Sequence, residues 1–195
     1  MTVQGGTGAR GVTNPKPPVA TGLLDEKLLA IRRAAHLLGA VRQKPRGAMD
    51  TWWICEPHLL GSRNPTTAEL EQLRGEGFQL LVSLLQEEEQ APKYDIATVE
   101  ALGFVRHNIP VKDFHPPTIH QLEQFVELIE KLSAGAKAII HCEGGTGRTG
   151  TFAVAYRIAK GMTVAGAIAY VRKARPHAVE TPAQKASLEQ FAGAW

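Results

Sequence analysis

The chain contains only two cysteines, Cys55 and Cys142, which are too few for a disulfide framework. It also lacks any run of apolar residues long enough to cross a membrane. Its first 18 residues, MTVQGGTGARGVTNPKPP, lack the apolar core of a secretory signal. Together these absences predict a cytoplasmic protein in a reducing environment, where a reactive thiol would stay reduced.

Aromatic residues make up only 6% of the chain, and no basic stripe interleaved with aromatics is visible. We therefore expect neither a nucleic-acid nor a membrane partner. The net charge is +3, and the densest basic cluster, RKARP at 172–176, predicts either a solvated surface or attraction to an anionic substrate. The histidines lack the spacing of metal ligands, so no metal or other cofactor is expected.

A length of 195 residues suits one domain with an appendage. Residues 1–21 are rich in Gly, Pro, Thr and Asn, which predicts a disordered tail. Residues 22–50 are predicted as an amphipathic helix and a linker, a segment that could pack on the main domain, dock a partner or self-associate. The apolar face of this helix recurs every three or four residues, at Leu24, Leu28, Ile31, Ala35 and Leu38.

Residues 51–195 alternate between strand and helix patterns. Short apolar runs predict strands at 51–55, 78–85, 104–111 and 137–142. Helical periodicity, capping boxes and flanking glycines predict helices at 65–77, 95–103, 118–133, 149–160, 163–174 and 181–194. This alternation predicts an α/β fold with a mainly parallel central sheet flanked by helices, whose ligand site lies at the carboxyl ends of the strands.

The segment HCEGGTGRTG, residues 141–150, lies between a predicted buried strand and an apolar helix. Its glycines allow backbone N–H groups to turn into one concavity, and the following helix adds its positive end. The planar fork of Arg148 can bind two oxygens of a phosphate. The loop therefore predicts a site for a tetrahedral dianion, formed by Glu143, Gly144, Gly145, Thr146, Gly147 and Arg148.

Cys142 lies at the base of this loop, where the same dipoles would stabilise a thiolate. A thiolate beneath a bound phosphate can attack phosphorus in line and form a cysteinyl-phosphate intermediate, which water then hydrolyses. The alternatives are an inert buried cysteine and a nucleotide site. The nucleotide pattern G-x-x-x-x-G-K-[ST] is absent, however, because Arg148 stands where it requires lysine.

HCEGGTGRTG resembles the signature H-C-x5-R-[ST]-G of the cysteine-dependent protein tyrosine phosphatase superfamily. The resemblance covers roughly residues 51–192 and is greatest to compact, atypical dual-specificity phosphatases and their archaeal and bacterial relatives. It implies the phosphatase fold and makes 51–195 a catalytic domain. It also implies hydrolysis of phosphotyrosine in phosphorylated proteins, with phosphoserine and phosphothreonine as further candidates.

The resemblance also assigns the remaining catalytic groups. Asp113, in DFHPP after a predicted strand, corresponds to the general acid that protonates the leaving group, and Asp95 is the alternative. Glu180 and Gln184, in AVETPAQ, correspond to two polar residues that place the hydrolytic water, and their spacing puts both on one helix face. Relatives often carry Gln where this chain has Glu180, which could instead pair with Arg148 or Arg175.

Three further residues around the loop receive supporting roles. Thr149 is predicted to hydrogen-bond the Cys142 sulfur, and His141 is predicted to fix the cysteine backbone. Glu143 is predicted to turn only its N–H toward the site. Cys55 is predicted to belong to the core, with a protective disulfide to Cys142 as the alternative.

The substrate remains open at the level of the sequence. The loop CEGGTGR contains no lysine, which argues against phosphoinositides. The alternatives to a protein phosphatase are a small-molecule phosphatase acting on inositol phosphates or nucleotides, a rhodanese-like sulfurtransferase, and a catalytically inactive phosphate-binding module. A sulfurtransferase would need neither the Arg-Thr-Gly ending of the loop nor Asp113, and an inactive module would not need all three catalytic residues.

Overall fold

The computed structural model describes residues 49–195. The predicted tail and nearly all of the predicted helix and linker at 22–50 therefore lie outside the described residues. Within these residues the five strands are β1 Thr51–Cys55, β2 Leu59–Ser62, β3 Phe78–Ser83, β4 Val105–Asn108 and β5 Lys137–His141. The helices of this part of the chain are α1 Thr67–Gly75, α2 Ile96–Ala101, α3 Ile119–Glu130, α4 Gly147–Ala159, α5 Val164–Ala174 and α6 Pro182–Ala194.

The strands form one mixed sheet in the order β1-β2-β5-β3-β4. Strands β2, β5, β3 and β4 are parallel to one another, and only β1 is antiparallel, paired with β2 as a hairpin. The predicted α/β fold with a mainly parallel sheet is thus confirmed. The prediction missed β2, because LLGS is a four-residue strand whose residues are all buried and therefore show no alternation.

Side-chain caps fix where the helices begin. Thr66 with Glu69 and Thr118 with Gln121 form the two predicted capping boxes, at the starts of α1 and α3. Thr181 forms a third at the start of α6, with Pro182 as the first helical residue. The helix starts predicted within residues 51–195 are therefore correct to within about two residues, which is the usual uncertainty of a helix boundary.

Helices cover both faces of the sheet and bury two apolar clusters. One cluster packs α3, α4 and α6 against the sheet, and within it the rings of Phe125 and Phe152 meet edge to face at 5.3 Å. The other lies on the opposite face and contains Leu70, Phe78 and Phe104. Helix α4 is buried along most of its length, as its apolar sequence predicts.

The carboxyl ends of the central strands meet at one edge of the sheet. His141, the last residue of β5, lies between Ser62 of β2 and Ser83 of β3. The connections that follow β2, β3, β4 and β5 therefore all leave from this edge, and Cys142 is the first residue beyond it. In residues 49–195 no helix combines the length and the apolar character that a membrane span requires.

Cys55 lies at the opposite end of the sheet from Cys142. Both thiols are free. Cys55 is opposite Leu59, which neighbours Ala138 near the start of β5, whereas Cys142 follows the end of that strand. Four strand residues span about 13 Å, whereas a disulfide needs Cα atoms within about 7 Å. The disulfide alternative is wrong, and Cys55 packs against the larger apolar cluster, as the core prediction has it.

Candidate active site

The backbone of the loop between β5 and α4 lies over the sulfur of Cys142. Cys142 is almost completely buried. The Gly145 N–H donates a hydrogen bond to Cys142 Sγ over 3.2 Å. Gly145 has φ +69°, and a Cβ there would lie 2.6 Å from the backbone nitrogen of Arg63. Only glycine fits this position, because both the conformation and the close backbone approach exclude a side chain.

Arg148, in the first turn of α4, projects a fully buried guanidinium toward the same site. Its Nη1 donates to the Val111 carbonyl over 3.0 Å, and its Nη2 donates to Gln90 Oε1 over 2.8 Å. Its Nη2 also lies 3.0 Å from Asp113 Oδ1. Within residues 49–195 the buried Nε has no partner, so one donor of a buried cation is available to an anion.

Asp113 lies in the connection between β4 and α3, with its side chain partly exposed at the site. Its Oδ1 accepts the Phe114 N–H over 3.1 Å, and its Oδ2 accepts a hydrogen bond from Gln90 Nε2 over 3.0 Å. The Gln90 amide thus bridges Asp113 and Arg148. The sequence analysis missed Gln90, and only its place in the QEEEQ segment after β3, at the carboxyl edge of the sheet, could have indicated it.

Asp95, the alternative acid, lies elsewhere and has another task. Its carboxylate caps α2 by accepting hydrogen bonds from the Thr98 N–H over 2.7 Å and the Thr98 hydroxyl over 2.5 Å. These bonds from the side chain and backbone of Thr98 lower the pKa of Asp95. A lowered pKa stabilises the carboxylate, which is the opposite of what a proton donor requires.

Cys142, Arg148 and Asp113 line one cavity of ≈ 250 Å³ at the carboxyl edge of the sheet. The structure therefore brings together most of the residues that the sequence predicts for the site. The described residues 49–195 contain no cluster of three or more His, Cys, Asp or Glu side chains suited to a metal ion. The cavity is lined by Asp113, Phe114, Cys142, Glu143, Gly144, Thr146, Gly147, Arg148 and Glu180.

The Glu143 carboxylate is held by two donors beside the loop. Asn64 Nδ2 donates to it over 2.8 Å, and Lys93 Nζ lies 2.5 Å away. Partial burial tends to raise the pKa of Glu143, but the hydrogen bonds from Lys93 and Asn64 bring it below the usual value. The negative charge of this unexpected residue is therefore matched by Lys93 rather than directed at a bound dianion.

Glu180 and Gln184 lie beside the cavity but not on one helix face. Thr181 is the N-cap of α6, so Glu180 precedes the helix and the predicted shared face is wrong. The Gln184 amide oxygen instead accepts the Glu180 N–H over 2.8 Å, and its Nε2 donates to the His115 carbonyl over 3.4 Å. The Glu180 carboxylate lies against Gly147, where even a methyl group would collide with it.

The alternative role for Glu180, an ion pair with an arginine, is also wrong. In residues 49–195 no ion pair joins Glu180 to Arg148 or Arg175, because both cations are committed elsewhere. Arg148 faces Asp113 and Arg175 faces Asp50, at 3.0 and 2.8 Å. Glu180 is therefore an exposed carboxylate at the edge of the cavity.

Thr149 lies one residue beyond Arg148, and its hydroxyl is buried. Within the described part of the chain this oxygen has no hydrogen-bond partner, so the predicted bond to the Cys142 sulfur is not formed. The sulfur receives the Gly145 N–H instead. Burial of a hydroxyl without a hydrogen-bond partner costs free energy of folding. It also leaves the Thr149 O–H available as a donor beside the loop that carries Cys142.

His141 links the cysteine backbone to the core through a chain of hydrogen bonds. Its Nδ1 lies 3.4 Å from the Cys142 carbonyl, and its Nε2 lies 3.1 Å from the Tyr94 hydroxyl. Arg106 Nε donates to that hydroxyl over 3.1 Å, which leaves the Tyr94 proton for His141. Complete burial lowers the pKa of His141 to about 3, so the ring is neutral.

This buried neutral histidine predicts acid sensitivity. In the unfolded chain His141 has a pKa near 6.5 and binds a proton that the native state excludes down to about pH 3. Native stability should therefore fall on acidification through this range, by up to about 1.4 kcal/mol per pH unit. Urea unfolding at pH 7, 5 and 4 should show a shallower loss for His141→Gln. The exposed His120→Gln is the control, and equal slopes in wild type and His141→Gln would refute the assignment.

Comparison with known proteins shows which family this chain belongs to. A sequence model described as "Polymorphic toxin system, DSP-PTPase phosphatase" matches residues 57–162, more than half of the chain. The crystal structure of Tk-PTP in the active form superposes with a TM-score of 0.68 at 32% identity, covering 74% of this chain and 97% of that one.

Curated relatives include phosphatases named for different substrates. Phosphatidylglycerophosphate phosphatase PTPMT2 of Arabidopsis thaliana is 29% identical over 80% of this chain and 68% of its own length. The tyrosine-protein phosphatase CDC14 homolog of Schizosaccharomyces pombe is 34% identical over 48% of this chain but only 18% of its own length. The chain thus spans about two thirds of the first relative and less than a fifth of the second. It belongs to the DSP-PTPase phosphatases of polymorphic toxin systems, and is a phosphatase of the cysteine-dependent protein tyrosine phosphatase superfamily, of the atypical dual-specificity type.

Proposed function

We propose that the chain hydrolyses phosphotyrosine monoesters in proteins through a cysteinyl-phosphate intermediate. The observation that carries this proposal is the convergence of three groups on one cavity. Cys142 lies beneath the anion loop, while Arg148 and Asp113 face each other at 3.0 Å beside it. A nucleophile, an anion clamp and a proton donor are the parts that transfer of a phosphoryl group to a thiolate needs.

In the first step the Cys142 thiolate attacks phosphorus, and the bond between phosphorus and the ester oxygen breaks. Asp113, protonated, gives its proton to the departing oxygen, so the product leaves as an alcohol. The loop N–H groups and Arg148 stabilise the charge that spreads over the phosphoryl oxygens. The unpartnered Nε of Arg148 supports this role, because it can donate to a phosphoryl oxygen without giving up another bond.

In the second step water attacks phosphorus and the bond between sulfur and phosphorus breaks. Asp113, now a carboxylate, takes a proton from the water, and the sulfur leaves as a thiolate. The free Thr149 hydroxyl is proposed to donate to the departing sulfur. Glu180 and Gln184, beside the cavity and the acid loop, are proposed to place the water. No step uses a metal or other cofactor, so turnover should survive a chelator. Turnover should also be inhibited by vanadate.

The carboxylates around the cavity favour a substrate with a single phosphate. The Asp113 and Glu180 carboxylates line it, the Glu143 carboxylate is paired with Lys93, and the loop CEGGTGR brings no lysine. Additional phosphate groups on a phosphoinositide or nucleotide would meet these carboxylates at short range. A phosphotyrosine side chain carries only the scissile phosphate near the site. The similarity to the CDC14 homolog, named as a tyrosine-protein phosphatase, supports the same substrate class.

A lipid or small-molecule phosphatase is the second candidate. The similarity to PTPMT2, named as a phosphatidylglycerophosphate phosphatase, favours it. A panel of phosphotyrosyl, phosphoseryl and phosphothreonyl peptides, phosphatidylglycerophosphate, inositol phosphates and nucleotides would separate the candidates by kcat/KM. We expect the phosphotyrosyl peptide to be hydrolysed fastest. A higher kcat/KM for any non-protein ester would overturn the substrate assignment without affecting the mechanism.

Asp113→Asn tests the proton donor. An amide cannot protonate the ester oxygen, so kcat should fall by about 10²–10⁴. The decline of rate at high pH should also disappear, since it reports loss of the acidic proton. Steady-state kinetics with an aryl phosphate between pH 5 and 8 would measure both effects. Asp95→Asn is the matched control, and loss of the basic limb in that variant instead would show that Asp113 is not the acid.

A further inference from the structure

Three consecutive carbonyl groups of the phosphate loop are bound from outside the cavity. The Glu143 carbonyl accepts the Asn64 N–H over 3.0 Å. The Gly144 carbonyl accepts a hydrogen bond from Arg175 Nη2 over 2.6 Å, and the Gly145 carbonyl accepts one from Trp52 Nε1 over 3.2 Å. None of the three donor residues lines the cavity.

These contacts also set the orientation of the loop N–H groups, because the peptide bond is planar. The peptide bonds of the loop are trans, and in a trans peptide the C=O and the next N–H point in opposite directions. A carbonyl held outward therefore turns the following N–H inward. By this rule the N–H groups of Gly144, Gly145 and Thr146 face the cavity. The Gly145 N–H does so visibly, because it donates to Cys142 Sγ.

We propose that Arg175 and Trp52 are positioning residues of the active site, which hold the loop carbonyls outward so that the N–H groups converge on the anion. This role rests on the proposed phosphatase reaction. Neither side chain touches the reacting atoms in it. The third donor, Asn64, acts through its backbone, so only Arg175 and Trp52 can be tested by removing the donor group.

Arg175 is built into this position by three further features. It is the C-cap residue of α5, and its side chain is mostly buried. Its Nε donates to the Thr146 hydroxyl over 3.1 Å, and its Nη1 donates to Asp50 Oδ2 over 2.8 Å. One guanidinium thus binds two residues of the loop and a carboxylate, which the single ammonium of lysine cannot reproduce.

This contact also explains part of the basic cluster RKARP. Arg172 Nε donates to the Ala178 carbonyl over 2.9 Å, and Arg175 binds the loop. Two of its three cations therefore bind backbone carbonyls next to the site, which a solvated surface does not require. The expectation of an ordinary solvated surface is wrong for Arg175, whose side chain is mostly buried, whereas Arg172 is exposed as that expectation has it.

Trp52 reaches the loop from β1. Its ring is buried and packs against Gly61, where a Cβ would lie 2.7 Å from the indole. This close packing fixes the ring so that Nε1 meets the Gly145 carbonyl. The neighbouring Trp53 points to the other face of the sheet, where it stacks on Phe78 at 6.2 Å. The chain therefore offers a tryptophan beside Trp52 that makes no such contact.

Anion binding, measured apart from turnover, tests the proposal. Tungstate, a tetrahedral dianion, is titrated into the full chain by calorimetry, and kcat and KM are measured with an aryl phosphate. Arg175→Gln should weaken tungstate binding by about tenfold or more, since a charge-assisted contact that orients the loop is lost. Arg175→Lys should recover part of this loss. Trp52→Phe, which keeps an aromatic ring on β1 but removes the donor, should weaken binding by about threefold to tenfold.

The controls carry the same substitutions away from the loop. Arg157→Gln removes an arginine that binds the Ile54 carbonyl and Tyr170, and Trp53→Phe removes the neighbouring indole. Both should bind tungstate like the wild type, even if they lower Tm. Arg175→Gln and Trp52→Phe variants that lose stability but keep wild-type tungstate affinity would overturn the proposal. If Arg175→Gln does not fold, Trp52→Phe and Arg175→Lys still decide it.

Failure of the proposed reaction would look different. A wild-type protein that binds tungstate but hydrolyses no phosphate monoester would refute the phosphatase mechanism for this chain. The comparison of tungstate affinities would still decide whether Arg175 and Trp52 orient the loop.

Discussion

Cys142→Ser is expected to abolish hydrolysis of an aryl phosphate, with a fall in kcat of about 10⁵–10⁶, the scale seen when a catalytic nucleophile is removed. A serine hydroxyl is scarcely ionised near neutral pH, so it is a far weaker nucleophile than a thiolate. The sulfur accepts a hydrogen bond from the Gly145 N–H, a donor that can stabilise an anion but cannot accept a proton. Stopped-flow and steady-state assays with an aryl phosphate measure the effect.

The same substitution should leave anion binding intact. The loop carbonyls remain held by Asn64, Arg175 and Trp52, and Arg148 remains in place. Cys142→Ser should therefore bind tungstate within a few-fold of wild type while it turns over nothing. Rapid quenching of the wild-type reaction should trap a phosphoenzyme that the serine variant does not form.

Cys55→Ser is the matched control for this prediction. Cys55 is the other cysteine of the chain and lies at the far end of the sheet, so its replacement should leave kcat unchanged. Turnover retained by Cys142→Ser, or a phosphoenzyme that forms on Cys55, would sink the proposed nucleophile.

Arg148→Lys is expected to lower kcat/KM by about 10³–10⁵, the range associated with arginines that stabilise a transferring phosphoryl group. Lysine keeps the positive charge but not the fork that binds two oxygens. It also leaves behind acceptors that Arg148 satisfies, the Val111 carbonyl and Gln90 Oε1. Because these acceptors are buried or partly buried, Tm should fall as well.

The kinetics distinguish loss of the clamp from loss of folding. If Arg148 acts on the phosphoryl group, the purified and folded variant should show both a lower kcat and weaker tungstate binding. Arg74→Lys is a control, because the Arg74 Nε donates to the Leu102 carbonyl and its side chain does not line the cavity. A folded Arg148→Lys variant with wild-type kcat/KM would show that the guanidinium is not needed.

The sequence was sufficient for the fold and for the residues that lie within one continuous segment. Alternating apolar strands and amphipathic helices predicted the α/β architecture, and the phosphate loop placed Cys142 and Arg148 together because they are neighbours in the chain. The resemblance predicted Asp113 as the acid from its DFHPP context after a strand, and the structure places this residue in the lining of the cavity. The strand β2 escaped because four buried residues carry no period.

What the sequence could not supply were contacts that depend on distant elements meeting. Gln90 reaches Arg148 across 58 positions, and Arg175 reaches Gly144 across 31. Trp52 reaches Gly145 across 93. Arg175 and Trp52 donate to backbone carbonyls, which every segment offers, and Gln90 accepts through its side-chain amide, so no spacing or motif marks these contacts. Glu180 shows the opposite case. Its spacing to Gln184 is regular for a helix, but the helix begins only after the N-cap Thr181, so Glu180 lies outside it.

The hydrogen bond from Arg148 to the Val111 carbonyl has a consequence for energetics. Val111 lies two residues before Asp113, so one guanidinium contacts both the anion site and the segment that carries the proposed proton donor. Binding at one of these sites and ordering of the other are then thermodynamically linked through a shared side chain. Such linkage is reciprocal. The free energy by which a bound anion would stabilise the ordered segment around Asp113 equals the free energy by which ordering of that segment would strengthen anion binding.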